Sequence, residues 1–193
     1  KIQRWSQIRQ GWPNQPLRLY GAGADSGTFD YFTEAIVGKA KAIRTDYQPT
    51  EDDNVTIKGV AGDTYAMGFL GYAYYEENKD KVKAVAIDHG KGCVLPSRET
   101  VLDGTYQPLS RPLFIYVNVK SLDRPEVQAF VDFYLSPAAR RAIRSTGYVE
   151  LPSEAYRIGQ ELVKRRKAGT FFMELPAGTP LSKFIQELDK ELR

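Results

Sequence analysis

Leu17-Arg18-Leu19-Tyr20-Gly21-Ala22-Gly23-Ala24-Asp25-Ser26-Gly27-Thr28, running on through Phe29-Asp30-Tyr31-Phe32-Thr33-Glu34-Ala35-Ile36-Val37 to Gly38, decides how the chain folds. Leu17, Leu19 and Tyr20 read as a short strand, and Gly21 to Ala24 as a turn of small residues. Asp25-Ser26-Gly27-Thr28 then opens a helix that Gly38 stops. The first amides of a helix lack internal acceptors, and the aligned peptide dipoles leave partial positive charge there. Such an end suits an anion. Ser26 and Thr28 add hydroxyl donors, and Gly27 has no side chain to keep a ligand off the backbone. Ser, Thr and Asp are equally ordinary helix caps, contributing about 0.5–2 kcal/mol with no ligand at all. The pattern alone leaves both readings standing.

Working outward, Lys1–Trp12 carries Ile2, Trp5 and Ile8 at helical spacing, broken by Gly11-Trp12-Pro13. Lys39 to Asn54, with Pro49 and the acidic run Glu51-Asp52-Asp53, reads as an exposed connection. Alternation at Val55-Thr56-Ile57-Lys58 predicts a strand, and Asp63 a short helix through Met67. Phe69–Tyr75 reads as an aromatic strand, and Val82–Asp88 as another. Strands alternating with helical patterns predict an α/β fold, a mixed sheet flanked by helices. Ser97–Leu102 reads as a short helix. The apolar run Leu113-Phe114-Ile115-Tyr116-Val117 predicts a strand buried on both faces. Beyond it the pattern is helical: Pro125 opens a helix that Pro137 interrupts, Ala138–Ser145 is the next, Ser153 caps Glu154–Lys167, and Ser182 caps a last amphipathic segment.

A chain of 193 residues, 42% of them hydrophobic, can bury a sizeable core. No apolar run approaches the ~20 residues that span a bilayer, and Lys1–Trp5 lacks the apolar centre of a signal peptide. The net charge of +3 is dispersed, so no nucleic-acid footprint is read. Lys164-Arg165-Arg166-Lys167 is a solvated helix end. With Cys93 the only cysteine and His89 the only histidine, neither a disulfide nor a metal site is expected. His89 lies in a glycine-rich turn and no Gly-x-Ser-x-Gly elbow is present, so catalysis is not expected.

Asp25-Ser26-Gly27-Thr28-Phe29-Asp30-Tyr31-Phe32, Glu51-Asp52-Asp53-Asn54-Val55, Gly68-Phe69-Leu70-Gly71-Tyr72-Ala73-Tyr74-Tyr75 and Tyr106–Asn118 together resemble the PstS-type phosphate-binding proteins of bacterial ABC transporters. The resemblance covers nearly the whole chain. It implies a type II periplasmic-binding-protein fold. Residues 1–107 would form the second, anion-binding lobe. Residues 108–193 would supply the return hinge strand and C-terminal helices of the first lobe. It also implies that these residues are the later part of a longer protein.

By the same resemblance Ser26, Gly27 and Thr28 match the family's phosphate donors, in an extracytoplasmic or periplasmic carrier that hands inorganic phosphate to an ABC permease without cofactor or chemistry. Many members place an arginine four residues before the serine, where this chain has Ala22, and Arg44 is the candidate replacement by elimination. Asp25, beside the serine, could accept a phosphate proton or orient an arginine. Phosphate carries an O–H near neutral pH and sulfate does not, so many donors plus one carboxylate would favour phosphate. A lobe alone would leave the site wet and the binding weak. Its C-terminal helices would need a missing N-terminal lobe, a second copy of the chain, or packing back on this lobe. Two other functions stay open: a non-transport sensor or protein-interaction module on the same fold, and a phosphate-ester hydrolase.

Overall fold

The computed structural model describes residues 1–169 and 175–193. They fall into two compact units, Lys1–Val85 and Ala86–Arg193.

The first unit is built on three parallel strands, β1 (Arg18–Ala22), β2 (Gln48–Thr50) and β3 (Ala66–Phe69), in the order β2-β1-β3. Tyr20 lies opposite Gln48 and Ala22 opposite Thr50, while Arg18 faces Ala66 and Gly21 faces Phe69. Helix α1 (Gly27–Val37) follows β1 and ends at Gly38 in the left-handed conformation, φ 77°. Helix α2 (Asp53–Ala61) follows β2, and the short α3 (Tyr72–Glu77) follows β3. Ala22, Phe29, Thr33, Thr56, Ile57 and Ala73 are buried here. α2 lies so close to the sheet that a Cβ on Gly59 would stand 2.4 Å from the Tyr20 ring, which only glycine avoids. On α1, Phe32 stacks on Phe69 of β3 with ring centroids 4.1 Å apart.

The second unit opens with a hairpin, β4 (Ile87–Asp88) against β5 (Cys93–Val94). Its turn is tied by Asp88 Oδ1, which accepts from the Gly90 and Gly92 amides at 2.7 and 3.0 Å. Helices α4 (Arg98–Leu102), α5 (Pro125–Tyr134), α6 (Pro137–Ser145), α7 (Ser153–Lys164) and α8 (Leu181–Lys190) follow. Leu122, Val131, Ala139, Ala155, Tyr156, Ile158 and Leu162 form the core. Glu150, also buried, accepts from Arg98 of α4 and from Arg144 of α6, the latter at 2.8 Å. These two guanidinium groups, Arg98 the stronger, hold the Glu150 carboxyl down at about 2. No helix among the described residues is long and apolar enough to cross a membrane.

The α/β class expected from the sequence holds, with the larger sheet wholly parallel and antiparallel pairing confined to the hairpin. Several elements differ from their sequence reading. Val55–Lys58 is part of helix α2, not a strand. Asp52 caps that helix, its side chain accepting from the Asn54 amide at 2.9 Å. Thr56 and Ile57 are consecutive and both buried, which a strand with one wet face cannot arrange. Asp63 caps no helix. Its side chain accepts from the Tyr65 amide at 2.8 Å in a tight turn, and β3 begins at Ala66. The aromatic strand ends at Phe69, because Gly71 starts α3 and Tyr72 reaches Glu76 one turn on, O–H to carboxylate 3.0 Å. Of Val82–Asp88 only the last two residues are strand, and the connection Lys39–Asn54 contains β2.

Near the N-terminus only Trp5–Gln7 is helical, as a 3-10 turn. The segment instead folds back on itself, with the Trp5 amide bonded to Gln15 and the Leu17 amide to Gln3. Ser153 and Ser182 are not the caps they were read as: both lie inside their helices, α7 starting at Ser153 behind Pro152 and α8 at Leu181 behind Pro180. Leu113–Val117 is not a buried strand. Leu113 is 62% and Tyr116 78% exposed, and no strand pairs with this run among the described residues.

Candidate functional site

The α1 entrance stands at the carboxyl end of β1, the edge of an open parallel sheet where ligands gather. Beyond Ala22 the chain keeps pairing for one more bond, the Gly23 amide donating to the Thr50 carbonyl at 3.0 Å. It then turns tightly, with the Ser26 amide on the Gly23 carbonyl at 3.1 Å. Ser26 takes the extended conformation of a helix cap, φ −91° and ψ 131°. Its Oγ accepts from the Thr28 amide at 3.1 Å. Of the amides at this end, that of Thr28 is therefore engaged by the cap, while that of Phe29 has no acceptor among the described residues. Gly27 is exposed, Ser26 and Thr28 half-buried, and Phe29 buried beneath them. Of the two readings of the sequence, the capped helix is the one these bonds display.

The flank of this terminus comes from β2. Tyr47 donates its hydroxyl to the Ala22 carbonyl at 3.2 Å. Glu51, the residue after β2, takes a hydrogen bond from the Asp25 amide at 3.4 Å. Burial pushes the Tyr47 phenol up, and the nearby Glu51 charge adds to the push. Asp53 is likewise raised, by burial first and then by Asp52 and Glu51. Neither Tyr47 nor Glu51 was singled out from the sequence as a site residue. Each reaches the turn only through the parallel register that sets Ala22 opposite Thr50.

Asp25 is exposed at the turn, its amide on Glu51. Arg44 lies in the loop before β2 and is clasped by Asp46, Nε to Oδ1 at 2.6 Å and Nη2 to Oδ2 at 2.7 Å. That two-point pair holds the Asp46 carboxyl well below the usual carboxylate range. The structure thus brings Ser26, Gly27, Thr28 and Asp25 together at one helix end, and places Arg44 on an internal partner. His89 sits exposed in the hairpin turn with no hydrogen bond or ion pair among the described residues.

Comparison with known proteins gives this geometry its relatives. Residues 1–138 match the model of a PBP superfamily domain. The chain is 50% identical over 188 residues to Protein SphX of Synechocystis, covering 94% of this chain and 56% of that one. It is 35% identical over 155 residues to the phosphate-binding protein PstS of Staphylococcus haemolyticus, covering 79% of this chain and 48% of the relative. The crystal structure of a possible phosphate binding protein from Planctomyces limnophilus superposes with a TM-score of 0.71 at 44% identity, over 87% of this chain and 60% of the other. The chain spans about half the length of the curated relatives it matches.

Proposed function

Since the chain belongs to the PBP superfamily, with PstS-type phosphate-binding proteins among its relatives, we propose that it binds inorganic phosphate at the N-terminus of α1. In this reading Gly27 and Thr28 donate amides, Ser26 and Thr28 donate hydroxyls, and the helix dipole favours the anion. The observation that carries it is the Ser26-Gly27-Thr28 helix terminus at the carboxyl end of β1, in a chain 44% identical to a possible phosphate binding protein of known structure.

Ligand entry has a defined cost. The Thr28 amide must leave Ser26 Oγ, or share itself between that oxygen and the anion. Asp25 is the carboxylate nearest in sequence to accept a phosphate proton. Arg44 supplies positive charge once it is released from Asp46. The protein carries phosphate without transforming it, as the extracytoplasmic solute-binding component of an ABC importer, and its partner is the permease.

Calorimetric titration with phosphate and then sulfate, on this chain and on Thr28→Ala, tests the reading. Phosphate heat that shrinks in the variant supports it, and equal heats for both anions overturn the selective part. A second reading, a sensor or protein-interaction module on the same fold, draws support from the exposed apolar residues Leu113, Tyr116, Phe130 and Phe133.

A further inference from the structure

Two guanidinium groups of the second unit converge on the buried Glu150 carboxylate. Arg98 of α4 spends two donors there, Nε on Oε2 at 3.2 Å and Nη2 on Oε1. Arg144 of α6 spends one, Nη1 on the same Oε1 at 2.8 Å. A guanidinium carries more N–H donors than these, so both arginines keep some over, and Arg144 keeps its whole Nε–Nη2 edge. That edge has no acceptor among the described residues. The Arg98 and Arg144 side chains are 47% and 45% exposed, so their spare donors are offered to solvent. One turn before Arg144 on the same face of α6 stands Arg140, which lies 4.3 Å over the Tyr156 ring and donates Nη1 to Ser153 Oγ at 2.8 Å. Of the neighbouring carboxylates, Glu154 is taken up by Arg157, Nη2 to Oε1 at 2.6 Å, and Glu99 acts on Arg98. Three guanidinium groups thus stand against Glu150 and Glu99, and the stripe stays positive. Tyr148, two residues before Glu150, is 48% exposed.

We propose that Arg98 and Arg144, held by Glu150, form a docking site for an acidic segment of a partner protein. A carboxylate of that segment takes the Nε–Nη2 edge of Arg144 in two parallel hydrogen bonds, the geometry in which a guanidinium fork matches a carboxylate. A second carboxylate further along the segment meets Arg140. Glu150 prepares the site: with one side of each fork already bonded beneath the surface, less side-chain freedom is lost when the partner arrives. Tyr148 adds an exposed ring beside these cations, and arginine and tyrosine are the residue types that carry much of the binding energy at protein interfaces. An anionic lipid surface asks only for positive charge, whereas here the donors are fixed in direction by a buried acid, which rewards a carboxylate presented at one place. The inference is independent of the phosphate reading of α1.

The test is fluorescence anisotropy with a labelled hexaglutamate peptide on the intact chain, for the unaltered protein, Arg144→Lys and Lys164→Gln, the last altering the basic run that ends α7. Lysine keeps the charge and a contact to Glu150 but has no two-point edge. The expected result is binding by the unaltered chain, weakened about tenfold or more in Arg144→Lys and unchanged in Lys164→Gln. Full binding by Arg144→Lys overturns the assignment, and so does an equal loss in Lys164→Gln, since the peptide would then be reading charge alone. Unaltered protein that ignores hexaglutamate, or that ignores it while floating with phosphatidylglycerol vesicles, overturns it as well. A second measurement needs no variant: phenylglyoxal labels accessible arginines, and mass spectrometry should find Arg144 protected once hexaglutamate is bound. Peptide that binds and leaves Arg98 and Arg144 as reactive as before overturns the proposal even where Arg144→Lys fails to fold.

Discussion

Ser26 Oγ accepts the Thr28 amide at 3.1 Å, so the hydroxyl expected to greet a ligand is the one that closes the helix in its absence. Cap and ligand compete for the same donor. Ser26→Ala should therefore lose both, with stability down by about 0.5–2 kcal/mol and phosphate binding weakened. Ser26→Asp separates them. Aspartate caps as well as serine, so the urea midpoint should hold, while its charge at the anion position abolishes the phosphate heat. A Ser26→Asp protein that still binds phosphate would show that the anion does not sit at this terminus.

Arg44 and Asp46 give a second experiment. Their two-point pair keeps the guanidinium occupied. Should Arg44 supply the charge that Ala22 cannot, Asp46→Asn frees it and raises phosphate affinity, and Arg44→Ala lowers it. Affinities for both variants indistinguishable from the parent would remove Arg44 from the site.

The Tyr47 phenol is raised by burial first and by Glu51 second. Absorbance titration at alkaline pH should show two tyrosines ionising above the ordinary phenol range of about 10, Tyr106, raised by burial, and Tyr47, whose step is the one Glu51 touches. In Glu51→Gln that step should move down without returning fully, because burial remains. Tyr47→Phe identifies the step by deleting it.

Acid stability should report Glu150. Its folded value of about 2 lies below the ordinary glutamate value, because Arg98 and then Arg144 hold the charged form. A depressed carboxylate contributes stability above its unfolded value, and that contribution drains away as pH falls toward the folded one. The window thus runs from the usual glutamate range, near 4.3, down to about 2. Glu150→Gln should lower stability at neutral pH by about 1–3 kcal/mol and flatten this part of the acid limb in denaturation followed by circular dichroism.

Gly59→Ala tests the closeness of α2 and β1. The added methyl would stand 2.4 Å from the Tyr20 ring, and overpacking of this kind costs about 1–3 kcal/mol. Tyr20→Leu in the same chain should recover part of that loss. Recovery no greater than the sum of the two single changes would mean that the helix yields elsewhere.

What the sequence made legible is what local chemistry dictates. Ser26 as cap, Gly38 as stop and Pro125 at the head of α5 act within a few residues of themselves, and each stands where it was read. Val55-Thr56-Ile57 misled because three β-branched residues favour a strand, while the capping of Asp52 and burial against the sheet decide for a helix. Ser26, Gly27 and Thr28 could be found because they are contiguous. Tyr47 and Glu51 could not, because only the parallel pairing of β1 with β2 carries them to the turn, and no local spacing encodes that register.

The backbone of Leu113, Ile115, Tyr116 and Val117 makes no hydrogen bond among the described residues, under side chains that are mostly exposed. For anyone handling the purified chain, this is a sticky seam. Exposed apolar side chains gathered in one short run recruit identical neighbours, so light scattering should climb with concentration and on warming. Tyr116→Lys, which alters nothing in the buried set, should keep the preparation clear.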